Sequence, residues 1–327
     1  MALPAAASVV SSGLGSYPTV YYDRKAIAAL EKTLFLYPAC DQKSMPDRSG
    51  VAMQIFDYSA MSANTTPATE GTPGAGQTLT QNTRTLNLSQ YVDYLSFSDK
   101  VVLTAISDTV AEGAERLAYR GALTVDNLIA EEADAACNTY TTGQIDVNDG
   151  TYFTASLSRR AAQSLHAYDH PTKANGKYFG VIHSLQAFDL INDTNAGGFI
   201  DLMKYTENNA DKLQQGVSSN FVGTIGGVEW HQSNAVKSYA NWQSSANTAY
   251  GALVIAKDAL FVSSLGKTQL GQKNFSVKTS KFPAGSVSTD PAGQIAAAAS
   301  YNFFFGVVRR PGTVMGIRRI RCESSIS

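Results

Sequence analysis

Charge, cysteine and histidine are scarce in this 327-residue chain, and each scarcity narrows what the protein can be. Only 16% of the residues are charged, against roughly 25% in an average globular protein. The formal net charge of −1 removes the global basicity that a protein needs to wrap nucleic acid. The three cysteines, Cys40, Cys137 and Cys322, are far apart and form no CxxC pair. That pattern argues against a disulfide framework or a zinc site and points to a reducing compartment. No apolar run approaches the ~20 residues that span a bilayer. The opening "MALPAAASVVSSG" lacks the basic and apolar regions of a secretory signal, so the expectation is a soluble protein, intracellular when made.

Gly, Ser, Thr, Asn and Ala fill the space that charge leaves, a composition suited to a surface covered by neighbours. The 44% of hydrophobic residues is ample for a core, in one elaborate domain or two smaller ones. The few charges are segregated. Asp99 to Asp134 holds eight acids and three bases, whereas Tyr301 to Ser327 holds Arg309, Arg310, Arg318, Arg319 and Arg321 against Glu323 alone. These arginines either pair with acids of the long helix described below or hold an adjacent subunit; two solvated faces are the plainer alternative.

Periodicity lays out the elements. Residues 1–18 are rich in small residues. A short helix is expected at 22–34, where Ile27, Leu30 and Leu34 fall at helical spacing. "VAMQIFDYSA" (51–60) predicts a strand, "NTTPATEGTPGAGQT" (64–78) a turn region, and the alternation from Thr85 to Ser89 a returning strand. Together they predict a long β-hairpin, and an isolated ribbon of this kind is marginal in water. Ser98 or Ser107 caps a following helix, with Asp99 or Asp108 favouring its positive end. Val102, Ile106, Val110, Ala114, Leu117, Gly121, Val125 and Leu128 trace one apolar stripe, and the small residues in it suit packing on a sheet better than a leucine zipper. From Ser107 to Cys137 the helix would be about 45 Å long. Further on, a helix is expected at 154–168, a strand at 177–184, a short helix at 185–193 and a Gly-rich hairpin within 219–233. A buried strand at Ala252–Ile255, followed by a turn of helix, precedes a terminal antiparallel pair around Arg310-Pro311-Gly312.

Catalytic signatures are missing. No GxSxG elbow occurs, and "GTPGAG" lacks the lysine of a phosphate loop and lies in a hairpin tip. His166 and His170 stand at i and i+4, a metal-ligand spacing, but Pro171 follows and no acidic third ligand is placed. A helix-end or interface pair is the favoured reading of those two, and His183 and His231 read as hydrogen-bonded structural residues. No cofactor is expected.

The order of parts resembles the major capsid proteins of tailed bacteriophages with the Hong Kong 97-type α+β fold. Locally the wording is similar to the group typified by the capsid protein of phage N-four, in "LNLSQYVDYLSFSD" (86–99), "GALTVDNLI" (121–129), "GKYFGVIHS" (176–184), "GTIGGVEWHQS" (223–233), "GALVIAKDAL" (251–260) and "DPAGQ" (290–294). The segments run in family order from the hairpin to the C-terminal region; the first fifty residues take no part.

The resemblance implies an N-terminal arm (1–48), an extended β-hairpin loop (49–90), a peripheral domain with a spine helix (91–180), an axial domain (181–272) and C-terminal strands of the peripheral domain (273–327). It implies a non-enzymatic subunit that assembles with itself as pentamers and hexamers into an icosahedral head around double-stranded DNA, without sequence-specific contact to that DNA. A portal protein, with scaffolding and decoration proteins, would be further partners. No membrane is involved: the location is the virion capsid, and the host cytoplasm before assembly. Inter-subunit contact candidates are Asn64, Thr72, Gly74, Gly76, Gln77, Arg84, Arg309, Arg310, Arg318, Arg319 and Arg321. An encapsulating nanocompartment shell is the alternative on the same fold; a metal-dependent or carbohydrate-active enzyme is the alternative of another class.

Overall fold

Alternation of apolar side chains along one fifteen-residue strand organises most of the chain. The computed structural model describes residues 8–9, 36–45, 50–67, 70–71, 76–105, 108–139, 143–147, 150–194, 198, 221–234, 236–240, 242, 248–265, 278–281, 294–312 and 315–326. In order, its elements begin with β1 (Ser8–Val9), a 3-10 turn (Tyr37–Ala39), β2 (Asp41–Met45), β3 (Ala52–Tyr58), β4 (Gln81–Asn87) and β5 (Ser89–Ser98). Next come helices α1 (Asp99–Thr104) and α2 (Thr109–Thr139), β6 (Gln144–Asp146), α3 (Ala155–His166), β7 (Tyr178–Ile182) and α4 (Ser184–Ile191). The remainder is strand: β8 (Phe221–Ile225), β9 (Val228–Gln232), β10 (Ser238–Tyr239), β11 (Ala249–Ile255), β12 (Leu260–Leu265), β13 (Lys278–Lys281), β14 (Ile295–Arg309) and β15 (Ile317–Cys322).

The first sheet runs β1-β5-β14-β12-β2, with β13 also on β14. On one face of β14 the alternate residues Ala297, Ala299, Tyr301, Phe303 and Phe305 enter a core shared with α2. The helix answers with Leu117, Val125, Ile129, Ala133, Ala136 and Cys137, and with Val110, Ala114 and Leu128 at its margin. At ~1.5 Å per residue its 31 residues span about 46 Å. Gly113, beside the stripe, lies where Phe97 of β5 comes too close for any Cβ, so the helix needs a glycine there.

Two details of this region differ from expectation. The ribbon does not run directly into the helix: β5 intervenes and pairs antiparallel with β14 from Ser89↔Phe305 to Ser98↔Ile295. The helical segment is also split. Ser98 caps α1, accepting from the Val101 N–H, whereas the Asp108 carboxylate accepts from the Ala111 N–H at 3.1 Å and begins α2. Val102 therefore sits on α1, outside the buried stripe, and is 38% exposed. Ile106 and Ser107 lie outside the described residues, as do the helix expected at 22–34 and "DPAGQ" up to Gly293.

The second sheet runs β6-β15-β11-β7-β9-β8, with β10 on β11. Helices α3 and α4 supply Leu157, Ala161, Ala162, Leu165, Ala187 and Leu190 to the core on its outer face. Trp230 is fully buried there, edge-on to Phe153, and its indole N–H donates to Ser158 at 2.8 Å. A buried indole requires such a partner.

The C-terminal expectations need two corrections. The turn of helix after Ile255 is a tight turn, with Asp258 at φ +56°, leading into strand β12. Strands β14 and β15 do not pair with one another: β14 joins the first sheet beside β12, and β15 joins the second beside β11. Both connections cross between the sheets side by side. The Ala256 N–H donates to Gly316 at 2.8 Å and the Arg310 N–H to Ala259 at 3.0 Å. A Cβ on Gly316 would stand about 3.0 Å from the methyl of Ala259, so the crossing relies on that glycine.

Candidate functional site

The β3–β4 ribbon is a sheet of its own, with Ala52 opposite Asn87 at the root and Tyr58 opposite Gln81 at the outer end. Period-2 alternation gives it two faces. The inner face carries Met53, Ile55, Asp57, Asn82, Arg84 and Leu86, all wholly or partly buried; the outer face carries Ala52, Gln54, Phe56, Tyr58, Gln81, Thr83, Thr85 and Asn87, all exposed. At the root, Leu86 is fully buried and, with Met53 and Ile55, meets Met45, Leu88, Phe261 and Val308 of the body. Gly306 of β14 lies so close beneath the root that a Cβ would collide with the Asn87 carbonyl. Farther out, Arg310 Nε donates to Asp57 Oδ2 at 2.6 Å, both side chains being about 30% exposed (31% and 29%).

Beyond that rung the described residues bond only within the ribbon. The Ser59 N–H donates to Thr80 at 3.0 Å, Asn82 to the Ser59 hydroxyl at 2.8 Å and Gln77 to the Ser62 carbonyl at 3.0 Å. Residues 58–67 and 76–81 are exposed throughout. They include large apolar groups: Phe56 is 59% exposed, Tyr58 48%, Met61 55% and Leu79 56%. Phe56 and Tyr58 touch each other edge-on, with centroids 6.2 Å apart. An uncharged, partly aromatic face left this exposed is suited to burial against another surface.

A buried charge network ties the long helix to the second sheet. Asp134 of α2 receives hydrogen bonds from Arg319 of β15, Tyr239 of β10 and Lys237, the last at 2.7 Å. Burial raises the Asp134 carboxyl, but hydrogen bonds from Lys237, Tyr239 and Arg319 outweigh it and hold the group below its usual range. Arg319 is wholly buried. Beside it, Arg318 is equally buried but points to the opposite face of β15, donating to the Ser164 hydroxyl at 2.8 Å and to backbone carbonyls of Met315 and Ile317.

The contact candidates named from sequence thus fall into three groups. Asn64, Gly76 and Gln77 are exposed on the outer ribbon, and Arg84 is half-buried on its inner face; Thr72 and Gly74 lie outside the described residues. Arg310 pairs with Asp57, Arg321 with Asp146, and Arg309 donates to Thr139 at 3.2 Å. Arg318 and Arg319 are interior, and Arg319 pairs with Asp134, an acid of the long helix. Phe56, Tyr58, Asp57 and Asp134 were not singled out by sequence. The alternation of "AMQIFDY" held the signal for the first three, because both of its faces carry apolar side chains.

The histidines do not converge. Helix α3 ends at His166, whose Nδ1 lies 3.2 Å from the Tyr178 hydroxyl, while His170 follows a turn and is buried with Nε2 unpartnered. Among the described residues no group of three or more His, Cys, Asp or Glu side chains is arranged to hold a metal ion. Cys40, Cys137 and Cys322 are free and buried; burial pushes the thiols of Cys137 and Cys322 up to about 12. Among the described residues no helix is long and apolar enough to cross a membrane.

No family model and no curated protein matches the chain by sequence. By structure it is similar to the capsid of Ralstonia phage GP4 (TM-score 0.69, 12% identity, covering 90% of this chain and 92% of that one). It is also similar to the capsid of cyanophage Pam1 (0.66, 10%, 89% and 92%) and of Helicobacter pylori bacteriophage KHP30 (0.63, 11%, 93% and 95%). The fold is accordingly the Hong Kong 97-like α+β fold of phage capsid chains.

Proposed function

We propose that this chain is a phage major capsid protein, a structural subunit without catalysis that assembles with itself as pentamers and hexamers into an icosahedral shell around double-stranded DNA. The observation that carries this reading is the outer ribbon, whose Phe56, Tyr58, Met61 and Leu79 are exposed. Laid on a neighbouring copy, that face would leave water, and assembly would complete the folding of each subunit. Subunits related by rotation make heterologous contacts that close into rings. In this reading residues 1–48 form the arm, 49–90 the extended loop, 91–180 with 273–327 the peripheral domain and 181–272 the axial domain. The second sheet, which takes strands from both of the latter ranges, would tie the two domains together. The exposed candidates Asn64, Gly76, Gln77 and the partly buried Arg84 would meet a neighbour. Packaged DNA would face the shell interior without base readout, with a portal protein and scaffolding and decoration proteins as partners. The subunit would reside in the host cytoplasm before joining the virion.

The similarity to phage capsid chains favours this reading over a nanocompartment shell. Deleting Asn64–Gln77 tests it. The wild-type protein is expected to form closed shells when overexpressed, and the deletion to give soluble subunits that assemble poorly or into aberrant shapes. Electron micrographs with normal shells from the deletion would remove the ribbon from the mechanism. Absence of any shell from the wild type under assembling conditions would count against the capsid reading itself.

A further inference from the structure

The ribbon is held to the body by two means of different kind, and they act at different distances from the root. The apolar cluster around Leu86, Met53 and Ile55 and the close approach at Gly306 fix where the ribbon begins. The Asp57–Arg310 pair is the outermost of its contacts with the body among the described residues. Its two sides differ in stiffness. Arg310 stands at the end of β14, its own N–H bonded to Ala259, and its charge is further steadied by Asp258, whose N–H is in turn held by the Asp41 carboxylate at 2.6 Å. Asp57 stands on a ribbon that is two-stranded among the described residues. A rigid cation therefore grips a pliant strand one rung short of its free end.

We propose that this ion pair is a latch that sets the angle at which the outer ribbon leaves the body. When it is closed, the inner face lies on β14 out to Asp57. When it is open, the ribbon is held only at Ile55 and inward, and its outer rungs swing about that point. The inference rests on the capsid reading for its purpose: a latch of modest strength lets one sequence seat its ribbon at more than one angle, as non-identical positions in a closed shell require. An apolar seat throughout would not do this, because packed side chains have one favoured arrangement, whereas a pair about 30% exposed exchanges protein for water at little cost.

Spin labels at Asn64→Cys and Arg116→Cys, both exposed sites, report the angle in unassembled subunits by electron–electron distance measurement. The native thiols are buried and stay unlabelled. In Asp57→Asn and in Arg310→Gln the ratio of seated to swung ribbon is expected to fall about fivefold, the factor a partly exposed ion pair supplies. The exchanged pair Asp57→Arg with Arg310→Asp should recover most of it. Distance distributions identical to wild type in both single variants would overturn the latch. If the singles loosen the ribbon yet their shells match the wild type in diameter, the latch's part in shell geometry falls. If the wild type makes no shells at all, the capsid reading fails while the distance data still decide the latch.

Discussion

Arg318 and Arg319 are adjacent in sequence, and the pleat of β15 sends them to opposite sides of a sheet. One reaches Ser164 of α3 and the other Asp134 of α2. As letters, the five C-terminal arginines were open to two uses, pairing with acids of the long helix or holding a neighbour, and Arg319 takes the first. Burial of Arg318 and Arg319 depends on how β15 pairs with β11 and on what packs over each face, which a local pattern does not disclose. The cost of disturbing them is correspondingly large. Asp134→Asn leaves the Arg319 guanidinium buried without a counter-charge and is expected to destabilise the subunit by about 3 kcal/mol, measured by urea unfolding of unassembled protein. Replacing both, Asp134→Leu with Arg319→Met, should recover part of that loss. His170 gives a second residue-level test. Burial first, and then the nearby positive charges of Arg318 and Arg310, lower its pKa from 6.5 to about 4. The folded state thus holds the neutral ring. Stability from this group is complete above pH 6.5 and is lost as pH falls from 6.5 towards 4, because the unfolded chain takes up a proton that the folded chain refuses. The loss is about 3 kcal/mol at most. His170→Asn should flatten the stability difference between pH 7 and pH 4.5 relative to wild type.

Helix α2 shows what an element discloses by itself. Leu117, Gly121 and Val125 were identifiable as interior from spacing alone, and all three are buried on the first sheet. Leu117→Ala should cost about 3 kcal/mol in thermal or urea unfolding, and Leu117→Asp should leave no folded subunit, since it adds an unpaired charge at a site 1% exposed. Unchanged stability in either would mean that the helix faces another way. Its beginning was less legible, because Ser98 and Asp108 are both good caps and each starts a helix. The ribbon was legible from its flanking alternation and its Gly/Thr/Pro tip. Strand β12 was not, since "ALFVSSL" has no period that separates a short buried strand from a turn of helix. The partners of β14 and β15 were hidden for a related reason. A turn at Arg310-Pro311-Gly312 resembles a hairpin, and only the neighbouring connection at Ala256–Ala259 reveals that it is a crossing.

Across the whole molecule, the order of parts and the local wording, through their resemblance to tailed-phage capsid proteins, carried the fold class, and the comparison with phage capsid chains agrees with it. What no sequence pattern could give is how far the ribbon leans on its own body, because that depends on one contact between residues separated by 253 positions. The seam between the sheets has a consequence of its own. Ala256 is tied to Gly316 and Ala259 to Arg310 by main-chain hydrogen bonds. A tensile load on either sheet, such as pressure from within a filled container would exert, passes to the other through these stitches as well as through packed side chains. The two sheets should therefore shear less readily than their apolar contacts alone would permit, and under the proposed capsid function a wall of such subunits would yield first at the joints between them.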